Sequence, residues 1–122
     1  MSRENITIEE MMELSDELFE KHKDEWRAKT PDSNIYWLAW LVGEIGEVID
    51  IIKKQGPEKI MKDEKIRQKT LEEITDCYMY LADILNRYQF KGEEFSKAYF
   101  DKMKHNLKRD YKRGKYGAAD RI

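Results

Sequence analysis

Apolar positions recur along this chain at helical rather than strand spacing. Leu38, Leu41, Val42, Ile45, Val48, Ile49 and Ile52 follow one another at steps of three or one, which keeps them on one face of a 3.6-residue helix. Leu71, Ile74, Tyr78, Leu81 and Leu85 form a second such stripe, and Ile8, Met11, Met12, Leu18 and Phe19 a third. Four helices are predicted. The first covers 7–28 and opens on Thr7 and Glu10, the hydroxyl and carboxylate of a capping box. The second starts at Thr30-Pro31, runs to about residue 55 and ends at Gly56-Pro57. The third covers 63–88 and the fourth 92–113, with Gly114 and Gly117 marking a loose tail that includes 118–122. Long helices with short connections predict an all-α, four-helix-bundle-like domain over 1–122, with the three apolar stripes as its core.

The second helix has more than one used face. At about 100° per residue, Trp37, Trp40, Glu44, Glu47 and Ile51 form a stripe away from the expected core. Ala39, Gly43 and Gly46 form a strip of small residues where another backbone can come close. A helix used on three sides belongs at the centre of a bundle or in a subunit interface, so a homo-oligomer is expected. Trp37 and Trp40 lead along their stripe to Glu44. Two readings of them stay open: stacking on a planar ligand, or burial between subunits.

Composition narrows the class. Charged residues make up 39% of the chain, with only six Gly and two Pro, which favours helices over a turn-rich β fold. The net charge of −2 gives no bulk field for a polyanion. The single cysteine, Cys77, excludes an intramolecular disulfide and a Cys-based zinc site, and its apolar neighbours suggest an inert thiol. The N-terminal residues carry no apolar leader, and no run of 18 apolar residues occurs. A soluble, cytoplasmic protein with no membrane partner is expected.

The chemistry is concentrated in acidic pairs. Glu44 and Glu47, three apart, rise from one face of the second helix within LAWLVGEIGEVIDII, where charge is otherwise scarce. Glu73 and Asp76 repeat the spacing on the third helix, on a stripe with Tyr80, Asp83 and Arg87. An antiparallel pairing lets both pairs face one space. Carboxylates gathered in this way repel one another unless a cation is present or protons are taken up. All-oxygen ligands favour Mg²⁺, with Mn²⁺ a substitute. Either pair by itself is more often an ordinary solvated face; recurrence beside apolar runs raises the metal reading.

These residues resemble the MazG-like nucleoside triphosphate pyrophosphohydrolases, whose pattern is Glu-x-x-Glu, a gap, then Glu-x-x-Asp. Here GEIGEVID carries Glu44 and Glu47, and LEEITDCYMYLADIL carries Glu73 and Asp76. Lys102, Asn106 and Arg109 are similar to a Lys–Asn–Arg pattern on the family's last helix. The resemblance covers roughly 35–110. It departs where many members double the first Glu and this chain has Gly43. It implies a MazG-type fold, a homodimer or homotetramer, and hydrolysis of a nucleoside triphosphate, deoxy or non-standard ones included, to monophosphate and pyrophosphate. Glu44, Glu47, Glu73 and Asp76 are then both the catalytic group and the Mg²⁺ ligands. Trp37, Trp40, Tyr80, Lys102, Asn106 and Arg109 are then the substrate side, with Lys102 and Arg109 at the pyrophosphate.

Other readings compete. Lys102, Lys104, Lys108, Arg109, Lys112, Arg113 and Lys115 suit a helix C-terminus, and Asp101 and Asp110 interrupt them, which argues against a nucleic-acid partner. Neither His22 nor His105 follows a Glu by three, so the ligand signature of di-iron bundles is absent. A non-catalytic nucleotide-binding module, or a helical protein-interaction module, is the alternative to the hydrolase.

Overall fold

The computed structural model describes residues 5–26 and 29–109. They form four α-helices and one 3₁₀ turn, with no strand among them. The helices are α1 (Ile8–His22), α2 (Asn34–Lys62), α3 (Glu64–Arg87) and α4 (Gly92–Lys108), and the turn, Pro31–Ser33, leads into α2. No helix among the described residues is long and apolar enough to cross a membrane. Contacts divide the chain into two compact units, Met1–Gly92 and Glu93–Ile122. The first holds α1 to α3, with α3 packed on both α2 and α1. The described part of the second is 93–109, which is α4 without its first residue and the residue after it.

Local chemistry sets the element ends. Thr7 Oγ1 accepts from the Glu10 N–H at 3.1 Å and Glu10 Oε1 accepts from the Thr7 N–H at 2.9 Å, completing the expected capping box. α1 closes at His22, short of residue 28, and a turn follows. The helical path of α2 breaks at Gly56, as expected, and a second helical stretch continues the element beyond it. The glycine takes φ 80° and ψ 162°, which breaks the helical path, and Pro57 then starts a last stretch to Lys62. Asp63 alone separates α2 from α3, and its Oδ1 caps α3 by accepting from the N–H groups of Lys65 and Ile66. α4 ends at Lys108; Asp110, Lys112, Arg113, Lys115, the two marker glycines and 118–122 lie outside the described residues.

Three side chains fix the register. Asn34, fully buried at the start of α2, donates through Nδ2 to the Ile84 carbonyl near the end of α3 at 3.2 Å. The two helices therefore run antiparallel. Asn86 Nδ2 donates to the Met12 carbonyl at 2.8 Å, and Arg87 Nη1 donates to Ser33 Oγ at 2.6 Å. The end of α3 is thus held to α1 and to the entry of α2 together.

α1 buries Met12 and Phe19 of its expected stripe, whereas on α2 and α3 the expected core faces are the reverse of those observed. On α2, Leu38, Val42, Ile45, Ile49 and Ile52 are 40% to 67% exposed, whereas Trp37 and Leu41 are buried and Glu44, Val48 and Ile51 half-buried. On α3, Leu71, Ile74, Tyr78 and Leu81 are exposed, while the stripe of Thr70, Glu73, Tyr80, Asp83 and Arg87 is buried or half-buried. Leu41 is the one member of the expected α2 stripe that is fully buried. A period of 3.6 locates an apolar face but does not say what covers it. Gly43 and Gly46 have open space where a Cβ would project, so nothing among the described residues approaches that point within 4 Å.

Candidate functional site

The antiparallel pairing of α2 and α3 positions the acidic residues. Counting along both helices from the Asn34–Ile84 bond, at an equal rise of 1.5 Å per residue, brings Glu44 opposite Glu73 and Asp76. Carboxylate oxygens from these three residues all lie within 4.8 Å of one another. Glu47, a turn further along α2, is exposed and stands outside this group. Glu73 also accepts from Lys69 Nζ at 2.9 Å, which supplies one cation to the cluster's edge and raises the lysine's own pKa.

The cluster marks its neighbours electrostatically. The Glu44 carboxyl is pushed above the usual carboxylate range by partial burial, then by the charges of Asp76, Glu73 and Glu47. Burial, reinforced by Glu44, Asp76 and Glu73, pushes the Cys77 thiol up, which disfavours the thiolate. Burial and the charges of Glu44, Asp76 and Asp83 push the Tyr80 phenol up as well, which keeps its hydroxyl a donor.

Glu44 and Asp76 also line a cavity of about 710 Å³ between α1, α2 and α3. Its walls are mainly apolar and aromatic: Met11, Leu14 and Leu18 from α1, Trp37 and Trp40 from α2, Tyr78, Met79 and Tyr80 from α3, and Trp26 from the turn after α1. Trp37 is the centre of the aromatic cluster. Its ring lies 4.8 Å from that of Trp40, 5.8 Å from Tyr80 and 6.0 Å from Trp26. Trp40 is 43% exposed and Trp37 is buried, so Trp40 is the more open to a ligand. Trp26 stacks on His22 at 5.0 Å.

One wall of the cavity carries a buried ion pair. Arg87 Nε donates to Asp83 Oδ2 at 2.6 Å, with the arginine side chain fully buried and the aspartate 10% exposed. The guanidinium lies 4.2 Å from the centre of the Trp37 ring and 5.4 Å from that of Phe19. Ser33 Oγ accepts from Arg87 and donates to the Thr30 carbonyl at 2.7 Å.

The structure therefore brings Glu44, Glu73, Asp76, Trp37, Trp40 and Tyr80 to one site. Lys102, Asn106 and Arg109 belong to the second unit: Lys102 and Asn106 line a groove on α4 with Phe95, Tyr99 and Met103, and the Arg109 N–H donates to the Asn106 carbonyl at 3.2 Å. Sequence reasoning missed Trp26, whose signal was a lone large aromatic in the charged stretch HKDEWRAK. It placed Asp83 and Arg87 on the acidic stripe without pairing them, although their i, i+4 spacing carries that signal. Compared with protein-family models, curated proteins and solved structures, the chain matches none.

Proposed function

We propose that this chain is a Mg²⁺-dependent nucleoside triphosphate pyrophosphohydrolase of the MazG-like kind, working as a homo-oligomer. The observation that carries this reading is the contact between two unlike features: three converging carboxylates and an aromatic-lined cavity that shares Glu44 and Asp76 with them. An acidic cluster without the cavity would be an ordinary charged patch, and the cavity without the cluster an ordinary apolar pocket. Together they suit a ligand with a planar, apolar end and a polyanionic end that arrives with a cation.

The donor set fits the cation. Mg²⁺ takes oxygen ligands at about 2.0–2.1 Å, so ligands on opposite sides of it stand about 4.2 Å apart. At most one pair of the three carboxylates can stand so; neighbouring ligands are about 2.9 Å apart, which oxygens already within 4.8 Å of one another would reach by side-chain rotation. Burial and then the charges of Asp76, Glu73 and Glu47 raise the Glu44 pKa, and a cation would relieve the second of these. Glu44, Glu73 and Asp76 would hold the metal, with Glu47 a turn away as a further carboxylate. Bound there, Mg²⁺ would neutralise triphosphate charge and make the α-phosphoryl group more electrophilic.

The chain's own residues supply the rest. Trp40, with Trp26 and Tyr80 nearby, offers flat surfaces for a base, while Trp37 holds that cluster in shape. A carboxylate of the cluster that the metal leaves free would take the proton of a water attacking the α-phosphorus. The bond that breaks is the one from that phosphorus to the oxygen bridging to the β-phosphate, which leaves a monophosphate and pyrophosphate. Lys102, Asn106 and Arg109 enter this reading through the resemblance of their spacing, as contacts of the departing pyrophosphate.

Oligomerisation rests on the exposed stripes. Leu38, Val42, Ile45, Ile49 and Ile52 on α2 and Leu71, Ile74, Tyr78 and Leu81 on α3 are large apolar side chains at least 38% exposed, and apolar stripes of this kind mark interaction surfaces. A second copy, presenting the same stripe, is the simplest cover. Incubating the protein and Mg²⁺ with common ribo- and deoxyribonucleoside triphosphates tests the activity. Pyrophosphate and a monophosphate are expected; orthophosphate and a diphosphate overturn the assignment to the α-phosphorus.

A further inference from the structure

The buried ion pair gives the cavity a chemical preference. Met11, Leu14, Leu18, Met79 and Ala82 give the wall nothing to hydrogen-bond, and Asp83 stands among them as a carboxylate. Arg87 occupies Oδ2. The other oxygen, Oδ1, meets Ser15 Oγ at 3.5 Å, the outer limit for a hydrogen bond, and Ser15 lines the cavity too. An ionised carboxylate only accepts, and each oxygen can take more than one donor. Glu25, Glu44 and Asp76 also line the cavity, but Asp83 is the carboxylate held by a buried arginine, and an acceptor fixed in this way favours a ligand that brings an N–H and disfavours one that brings a carbonyl oxygen to the same place.

Placement supports a base rather than a phosphate at this point. Asp83 follows Asp76 on α3 by two helical turns, about 10 Å, and both line the cavity. If the triphosphate lies at Glu44 and Asp76, the far edge of a nucleoside reaches toward Asp83. A phosphate there would meet the carboxylate, since Asp83 lines the cavity and Arg87 does not.

We infer that Asp83, held by Arg87, accepts a hydrogen bond from an exocyclic amino group, so that the site prefers nucleotides of the amino bases, cytosine and adenine, over their oxo counterparts. The inference rests on the nucleotide reading proposed above and adds the class of base. It also gives the ion pair a role: Arg87 fixes which carboxylate oxygen faces the ligand.

The test compares ligands that differ only in amino against oxo: CTP with UTP, ATP with ITP, and the deoxy forms of each. Turnover with Mg²⁺ and binding by tryptophan fluorescence are both read. In the natural protein the amino member of at least one pair should show kcat/KM about ten- to a hundredfold higher, the range expected for a hydrogen bond to a charged group. Asp83→Asn should reverse this. Arg87 needs an acceptor at the Oδ2 position, which leaves the amide NH₂ where Oδ1 stood, a donor suited to an oxo base. Equal turnover of both members of every pair by the natural protein overturns the inference and leaves the hydrolase standing. So does an Asp83→Asn variant that folds and keeps the amino preference. Absence of both binding and turnover for every nucleotide overturns the hydrolase reading and the inference with it.

Discussion

Glu44 and Arg87 show how unequally single residues are placed in this molecule. Glu44 sits where three carboxylates converge, and its pKa is raised above the unfolded value. The metal-free folded state therefore binds a proton more readily than the unfolded state, so stability falls as pH rises from the unfolded pKa through the folded one. Glu44→Gln removes that group. Without metal, the variant should lose less stability than the natural protein as pH rises through this window, measured by urea unfolding at several pH values. A steeper loss in the variant would mean that the cluster is not repulsive. Arg87 is the opposite case, a buried charge with partners. Arg87→Met leaves Asp83 buried and unpaired and should cost about 3–5 kcal/mol in unfolding free energy, the range for breaking a buried pair from one side. A cost below about 1 kcal/mol would show water reaching the pair freely. At this scale the sequence was informative: Glu44, Glu73, Asp76, Trp37, Trp40 and Tyr80 were all legible from spacing. The Asp83–Arg87 pair was legible from its i, i+4 spacing but its burial was not, because Ser33 and Phe19, which cover it, come from distant parts of the chain.

Among the elements, the helices were legible and their orientation was not. Capping by Thr7 and Asp63 and the break at Gly56 are local chemistry, which a sequence displays. Which face of α2 looks inward depends on α3, and α3 turns its acidic stripe toward α2 with its apolar stripe outward. The density of Leu, Ile and Val on the outer stripes made them look like core. This predicts a contrast between two truncations on α2. Leu41→Ala removes a buried side chain and should cost about 2–5 kcal/mol. Ile49→Ala, about half exposed in the chain, should cost a single subunit little but weaken assembly. Ile45→Lys, on the same face, should give subunits near 14.7 kDa in sedimentation where the natural protein sediments as a multiple. A natural protein that sediments at 14.7 kDa at micromolar concentration contradicts the assigned role of the stripes.

For the molecule as a whole, the proposed metal links stability to function. A cation that binds only the folded cluster raises stability by mass action, roughly 2.7 kcal/mol at a hundred times its Kd. Mg²⁺ should therefore raise the melting temperature of the natural protein and do so much less in Asp76→Asn. An equal rise in both would place the ion elsewhere. The measurement that bears most directly on the central claim is product identification after incubating a nucleoside triphosphate with the natural protein and Mg²⁺, beside Glu44→Gln and Asp76→Asn shown to be folded. The account predicts pyrophosphate with nucleoside monophosphate from the natural protein and almost none from either variant. Orthophosphate with a diphosphate, or equal turnover by all three proteins, would contradict it.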